Sequence, residues 1–264
     1  MTAAPFLARF ERFDVVGSTN DVVRDWLAAG EPEVCVAVAD VQSAGRGRGG
    51  RTWTAPPGVA LLLSVGFRPS WLAPERAWRL AAVVSLAMAE AAEEIAGLAG
   101  GVIGLKWPND LVVRESATVR KLGGLLGETD GLGGPDPRAV IGIGANVDWP
   151  AAEYPPELRE TMTSLRELAG RPVDREALLD GFLHFLEAGV ENLRRGRFDH
   201  AAWTDRQATT GHDVTIAFAD GSSQTRRALG VDATSGALVV ADVDHGRRLV
   251  LTGEIVHVRL AGAA

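Results

Sequence analysis

Between residues 10 and 147 the apolar positions fall into short blocks, most of strand length, punctuated by glycine and proline. Phe10 to Val16 alternates as a half-buried strand does and stops at Gly17-Ser18-Thr19-Asn20. Ser18 or Thr19 can cap the helix that follows over Asn20 to Ala29, with Gly30 past its end. Val34 to Ala39 and Val59 to Phe67 are near-continuous apolar runs, the second typical of a strand buried on both faces. Pro74 opens the longest predicted helix, which runs to Ala96 with apolar residues on more than one face and Gly97 at its end. Val102 to Trp107 predicts a strand halted by Pro108. Leu111 to Val113 and Lys121 to Glu128 predict two strands joined by a polar turn at 115–118, and 130–138 reads as a surface loop. In the buried run Ala139 to Val147, Gly142, Gly144 and Asn146 share one face by the strand period. Glycines there predict close approach by a ligand or by backbone.

Helical patterning then takes over, at Ser164 to Ala169, from Asp174 as a cap to Arg195, and at Phe198 to Gln207. From Gly211 the texture changes to short β-rich runs: Val214 to Phe218, Ala237 to Ala241, Arg248 to Leu251 and Ile255 to Leu260. Turns such as Asp220-Gly221 separate them, the pattern of a small antiparallel barrel or sandwich. The change predicts two units, 1–208 and 209–264, with the boundary near 208–211.

Composition narrows the function more than the fold. The 264 residues are 46% hydrophobic and 23% charged, and no run approaches the roughly 20 apolar residues of a membrane span. The first ten residues lack the pattern of a secretory leader. A single cysteine, Cys35, lies in an apolar run, where a buried inert thiol is expected. A cytoplasmic protein without membrane partners is therefore expected. A net charge of −7 argues against general nucleic-acid binding. Of 27 basic residues only two are lysine, Lys106 and Lys121. Where arginine is taken so consistently, the two lysines mark places that want a compact ammonium instead of a planar fork.

The densest chemistry lies between Gln42 and Trp53, where Gly45, Gly47, Gly49 and Gly50 alternate with Arg46, Arg48 and Arg51. Ordering so much glycine is entropically costly, and the segment reads as an anion-binding loop of guanidinium forks and exposed backbone N–H groups. Three further segments match it: the Gly-Ser-Thr-Asn turn, Lys106-Trp107-Pro108-Asn109-Asp110, and Lys121 beside Gly123 and Gly124. The five histidines are scattered, so no metal site is predicted, and neither a nucleophile elbow nor a Walker A loop is present.

Taken together and in order, Gly17-Ser18-Thr19-Asn20, the Gln42–Trp53 loop, Lys106 to Asp110, Lys121 to Glu128 and Gly142-Ile143-Gly144-Ala145-Asn146-Val147 resemble the motif set of the biotin–protein ligases. The resemblance implies an α+β fold: a mixed-sheet catalytic domain of the biotin/lipoate ligase, class II synthetase-like type with a small C-terminal SH3-like β-barrel. It implies that biotin and MgATP form biotinyl-5′-AMP, and that a lysine of a biotin carboxyl carrier domain, of acyl-CoA carboxylase or pyruvate carboxylase, then takes the biotinyl group. Lys121, Arg46 and Arg48 would be the catalytic cations. Ser18, Thr19, Asn20, Gln42, Gly45, Gly47, Gly123 and Gly124 would join them around biotin. Arg51, Trp53, Lys106, Asn109, Asp110 and Asn146 would join them around ATP, with Trp53 flanking the nucleotide and Trp107 part of the core. Bifunctional members carry an N-terminal DNA-binding domain and this sequence starts near the catalytic motifs, so no DNA partner is expected. Gly49-Gly50 stands where a bulkier residue is common and is expected to loosen the loop, which would order over bound ligand. The competing readings are a lipoate–protein ligase of the same fold, an RNA-binding glycine–arginine box, and a catalytically silent biotin or nucleotide binder.

Overall fold

The computed structural model describes residues 6–115, 118–242 and 246–252, and the backbone of 254–259. Two residues of the predicted turn at 115–118, and Leu260 at the end of the last predicted strand, lie outside the described residues. The larger unit runs β1 (Arg9–Val16), α1 (Thr19–Ala28), β2 (Cys35–Gln42), β3 (Ala60–Phe67), α2 (Trp78–Ala96), β4 (Ile103–Lys106), β5 (Asp110–Glu115), β6 (Thr118–Asp130) and β7 (Arg138–Asn146). Three helices follow: α3 (Leu165–Ala169), α4 (Arg175–Arg194) and α5 (His200–Asp205).

The strands form one seven-stranded sheet in the order β1-β2-β3-β7-β6-β5-β4. The β1–β2 pair is parallel and the other neighbours are antiparallel. β3 shows why the sheet carries helices on both faces. Leu61, Leu63, Val65 and Phe67 enter the main core with α2 and α4, each 3% exposed or less. Burial of each such side chain is worth about 1.5–3 kcal/mol. The alternate positions face α1, whose Val23, Trp26 and Leu27 pack with Cys35, Ala37 and Val140. Cys35 is fully buried, and burial pushes its thiol up to about 11.

The helix caps follow the sequence. Asp174 accepts the N–H of Glu176 (2.8 Å) and Ser164 that of Glu167 (3.2 Å). The predicted helix from Pro74 begins instead as a short 3₁₀ turn, Pro74–Arg76, before α2 proper.

The smaller sheet has the order β11-β10-β9-β8-β12, built from β8 (Asp213–Ala217), β9 (Ser223–Val231), β10 (Leu238–Ala241), β11 (Arg247–Val250) and β12 (Glu254–Arg259). Of these, β9 was not predicted. Its polar positions Ser223, Thr225 and Arg227 are exposed and only Ala228 and Gly230 are buried, so it carries almost no apolar signal. Its first half pairs with β8 and its second half with β10, rolling the sheet as a small barrel requires. Val214, Ile216, Ala228, Leu238, Val240 and Val250 fill its interior together with Trp107, which comes from the β4–β5 turn. The Trp107 indole N–H donates to Gly236 O (3.1 Å). Trp107 is thus core, as the sequence indicated.

Candidate active site

The Lys-Trp-Pro-Asn-Asp segment is the end of the β4–β5 hairpin. Lys106 and Asp110 are its last opposed pair, across the three residues Trp107, Pro108 and Asn109. Directly opposed residues bring their side chains together, and the Lys106 ammonium lies 3.0 Å from Asp110 Oδ2. Lys121 reaches the other oxygen, Oδ1, at 2.7 Å. It gets there through a bulge. β6 pairs Gly123 with Leu111 but Lys121 with Val112, so Leu122 is an extra residue that re-aims the strand. Burial pushes the Asp110 carboxyl up, but the two ammonium groups outweigh it and hold it below the ordinary carboxylate range. Asp110 is thus the shared counter-ion of both lysines.

The glycine–arginine segment is a miniature hairpin. Gly47 N–H donates to Arg51 O (2.7 Å) and Trp53 N–H to Gly45 O (2.9 Å), and Arg46 bridges Thr52. Gly49 and Gly50 form its tip with φ of 64° and 76°, a left-handed turn that side chains disfavour. The pair therefore supplies the backbone conformation that the tip of the hairpin requires. Gly45 is a packing position, since a Cβ there would stand 2.3 Å from Trp53 O. Arg46 places its fork on Asp21 (2.8 and 2.9 Å) and reaches Glu128 (3.2 Å). The bond from Arg46 holds the Asp21 carboxyl below its usual value. Arg46 thus anchors the hairpin to α1 and β6.

A polar floor lies between α1 and the sheet. Gln42 Oε1 accepts the Thr19 N–H (2.8 Å), and Ser64 Oγ stands 2.7 Å from Thr19 Oγ1 and 2.6 Å from Asn20 Oδ1. Asn20 Nδ2 donates to Glu128 Oε2 (2.9 Å). Both ends of the Asn20 amide are thus engaged by protein, and it supports the floor. Ser18 occupies the N-cap position of α1, yet its side chain caps nothing and lines the cavity. The glycines of β7 make room for side chains. A Cβ on Gly142 would meet Asn20 Oδ1 at 2.1 Å, and one on Gly144 would meet the Trp53 ring at 2.6 Å. Gly123 is likewise crowded by Gly144 O, at 2.7 Å from its Cβ position, so it serves sheet packing. The side-chain amide of Asn109 donates to Leu125 O across the sheet.

These residues enclose two adjoining cavities. The smaller, about 110 Å³, is walled by Ser18, Thr19, Asn20, Gln42, Arg46, Arg48, Asn109, Gly124 and Leu126. The larger, about 630 Å³, runs past Lys106 and Asn146 to Trp149 and Met162. Asn146 donates to Thr163 O (2.9 Å) from its place in that wall. Arg51, Thr52, Trp53, Asp110 and Lys121 belong to both cavities. The Lys121 ammonium is 5.3 Å from the Trp53 ring centroid, within cation–π range. A carboxylate presented from the small cavity and a phosphate from the large one would meet at that ammonium. Among the described residues no group of three His, Cys, Asp or Glu side chains could hold a metal ion.

Ser64, Asp21 and Glu128 were not singled out from sequence. Ser64 had a usable signal, as the one hydroxyl inside the apolar run from Val59 to Phe67. Asp21 and Glu128 had none, because their partner Arg46 is far away in the chain.

Comparison with known proteins agrees with this geometry. Residues 13–146 match the biotin/lipoate A/B protein ligase family. The chain is 31% identical over 256 residues to the biotin–[acetyl-CoA-carboxylase] ligase of Mycobacterium tuberculosis, covering 95% of this chain and 90% of that protein. It is 32% identical over 170 residues to the bifunctional ligase/repressor BirA of Bacillus subtilis, but the match covers only 50% of that longer protein. Among solved structures, the biotin protein ligase of Aquifex aeolicus in complex with biotin and ATP superposes with a TM-score of 0.75 at 26% identity, covering 96% and 99% of the two chains.

Proposed function

The chain belongs to the biotin/lipoate A/B protein ligase family, and from that premise we propose that it is a biotin–protein ligase that activates biotin with MgATP and passes the biotinyl group to a lysine of a biotin carboxyl carrier domain. The observation that carries this reading is the position of Lys121, whose ammonium borders both cavities at once. In the first step a biotin carboxylate oxygen attacks the α-phosphorus, pyrophosphate leaves, and biotinyl-5′-AMP remains. In the second, the carrier's lysine amine attacks the acyl carbon, loses a proton, and AMP leaves.

The first step brings together two anions, which at about 4 Å repel by roughly 4 kcal/mol at an effective dielectric of 20. A cation fixed beforehand between them removes that repulsion and stabilises the charge that develops. Lys121 is the proposed cation, held by Asp110. Arg48 and Arg51 of the hairpin add charge from above, and ligand binding draws the hairpin down to exclude water from the anhydride. Ser18, Thr19 and Gln42 receive the ureido ring, whose polar ends would cost about 1–3 kcal/mol each if buried unpaired. Lipoate has no such ring, so this floor favours biotin. Trp53 and Asn146 border the nucleotide, and magnesium enters as part of MgATP. We propose the catalytic unit as 1–208, with 209–264 as the small β unit, and the cytoplasm as the place of reaction, where the lone thiol Cys35 stays reduced.

Biotin-dependent ATP–pyrophosphate exchange tests the reading. Exchange that needs biotin, ignores lipoate and falls at least ~10²-fold in Lys121→Ala supports it. Exchange driven by lipoate moves the substrate to the sister class, and none with either acid overturns the proposal.

A further inference from the structure

Lys121 takes its backbone partners from outside the main sheet. Its N–H donates to Thr161 O (2.7 Å) and its carbonyl accepts the Thr163 N–H (2.9 Å). These belong to the long connection between β7 and α3, which has no strand of its own. Within it Trp149, Tyr154 and Met162 pack with Ala55 and Val59 as a separate small core. Trp149, Leu158, Glu160, Thr161 and Met162 of this connection line the larger cavity.

One carboxylate gathers the pieces. Glu167 of α3 accepts the Arg120 fork at 3.0 and 2.8 Å, the Tyr154 hydroxyl at 2.9 Å and the Thr163 hydroxyl at 3.0 Å. Arg120 immediately precedes Lys121, and its Nε donates to Met162 O (2.8 Å). Burial pushes the Glu167 carboxyl up, but the bonds from Arg120, Tyr154 and Thr163 outweigh it and keep it ionised. Four donor atoms thus converge on two oxygens, which an amide of the same shape cannot satisfy, since one oxygen would become an NH₂. The hydrogen bonds of Thr19, Gln42 and Ser64 form a different network on the far side of Lys121.

We infer that Glu167 is a positioning residue for the adenylation step: through Arg120, Tyr154 and Thr163 it fixes the backbone of Lys121 and the nucleotide-side wall together, leaving the biotin floor to other residues. The inference rests on the ligase reading for its reaction and on geometry for its coupling, and the two are measured separately.

The chain has only two lysines, so [¹⁵N]lysine labelling gives two backbone amide signals, assigned with Lys106→Arg. In Glu167→Gln the Lys121 amide is expected to shift and to exchange with solvent at least ~10-fold faster as its hydrogen bond loosens, while Lys106 keeps its signal. In the same variant the kcat of biotin-dependent exchange falls ~10–100-fold and KM for ATP rises, as small misplacements of a reacting group do. Biotin affinity by calorimetry stays within about twofold, the change of a site whose contacts are untouched, and Glu167→Asp recovers part of kcat. A folded Glu167→Gln with an unmoved Lys121 amide overturns the coupling. Biotin affinity lost in step with kcat overturns the positioning role and leaves a merely structural one. Should Glu167→Gln fail to fold, Tyr154→Phe, which removes one bond and keeps the ring, carries both measurements. Absence of exchange in the wild type would sink the ligase reading, and the amide measurement would still decide the coupling.

Discussion

A Cβ built on Gly124 would stand 3.1 Å from both Cε and Nζ of Lys121, so the missing side chain of one residue is the space in which the other's ammonium sits. Gly124→Ala is therefore expected to fold with a stability loss of no more than about 1 kcal/mol, because the side chain it meets is flexible. Its exchange rate falls ~3–10-fold as the ammonium moves a few tenths of an ångström. Lys121→Arg does not rescue the Lys121→Ala defect, since a planar fork is larger than the space and cannot act as a point charge. Initial exchange rates beside urea denaturation check both; full activity in either variant contradicts the geometry.

Asp110 holds two ammonium groups at 3.0 and 2.7 Å. Asp110→Asn leaves like charges facing each other without a counter-ion. Because the Lys121 side chain is 38% exposed, water screens part of the cost, and a loss of about 1–3 kcal/mol is expected, below that for a fully buried pair. The pH dependence has a definite sign. A depressed carboxyl stabilises above its unfolded value of about 3.9, and that contribution is lost as pH falls through the lower folded value. Stability measured against pH therefore falls more steeply below pH 4 in the wild type than in Asp110→Asn.

Arg46 and Arg48 are two residues apart and are expected to fail differently. Arg46 and Asp21, both about one-third exposed, form a pair whose double-mutant cycle should return a coupling of about 0.5–1 kcal/mol. Arg48→Ala, at a residue that lines the small cavity, is expected to lower exchange. A double-mutant cycle that returns no coupling between Arg46 and Asp21 would refute the anchoring role.

The chain has one tyrosine, and burial pushes the Tyr154 hydroxyl up to about 12. A raised acid stabilises the fold below its unfolded value of about 10, and that contribution is lost as pH rises toward the folded value. Absorbance titration should show a single phenol that fails to ionise near pH 10 in the native protein and does so once denatured. Native ionisation near 10 would place the phenol in water.

Periodicity made most of the large unit legible, because β3, α2, β7 and α4 bury residues in runs or on stripes that hydropathy records. It missed β9, whose exposed polar positions mask its strand period. The site residues were legible as residue types. Their protein partners were not, since Asn20, Arg46 and Asn109 find them through tertiary contacts that no local spacing encodes. The Glu167 network was illegible for the same reason: its members lie on β6, the β7–α3 connection and α3.

A catalyst that makes an acyl-adenylate prepares a reagent able to acylate stray amines, its own included. Here both lysine side chains are already committed to Asp110, one of them 16% exposed and the other 38%. The 25 arginines that carry the remaining basic charge are poor acyl acceptors at neutral pH because they stay protonated. The chain's side chains thus offer few free amines to its intermediate, and the arginine habit that made two lysines stand out also favours transfer of the biotinyl group to a lysine elsewhere.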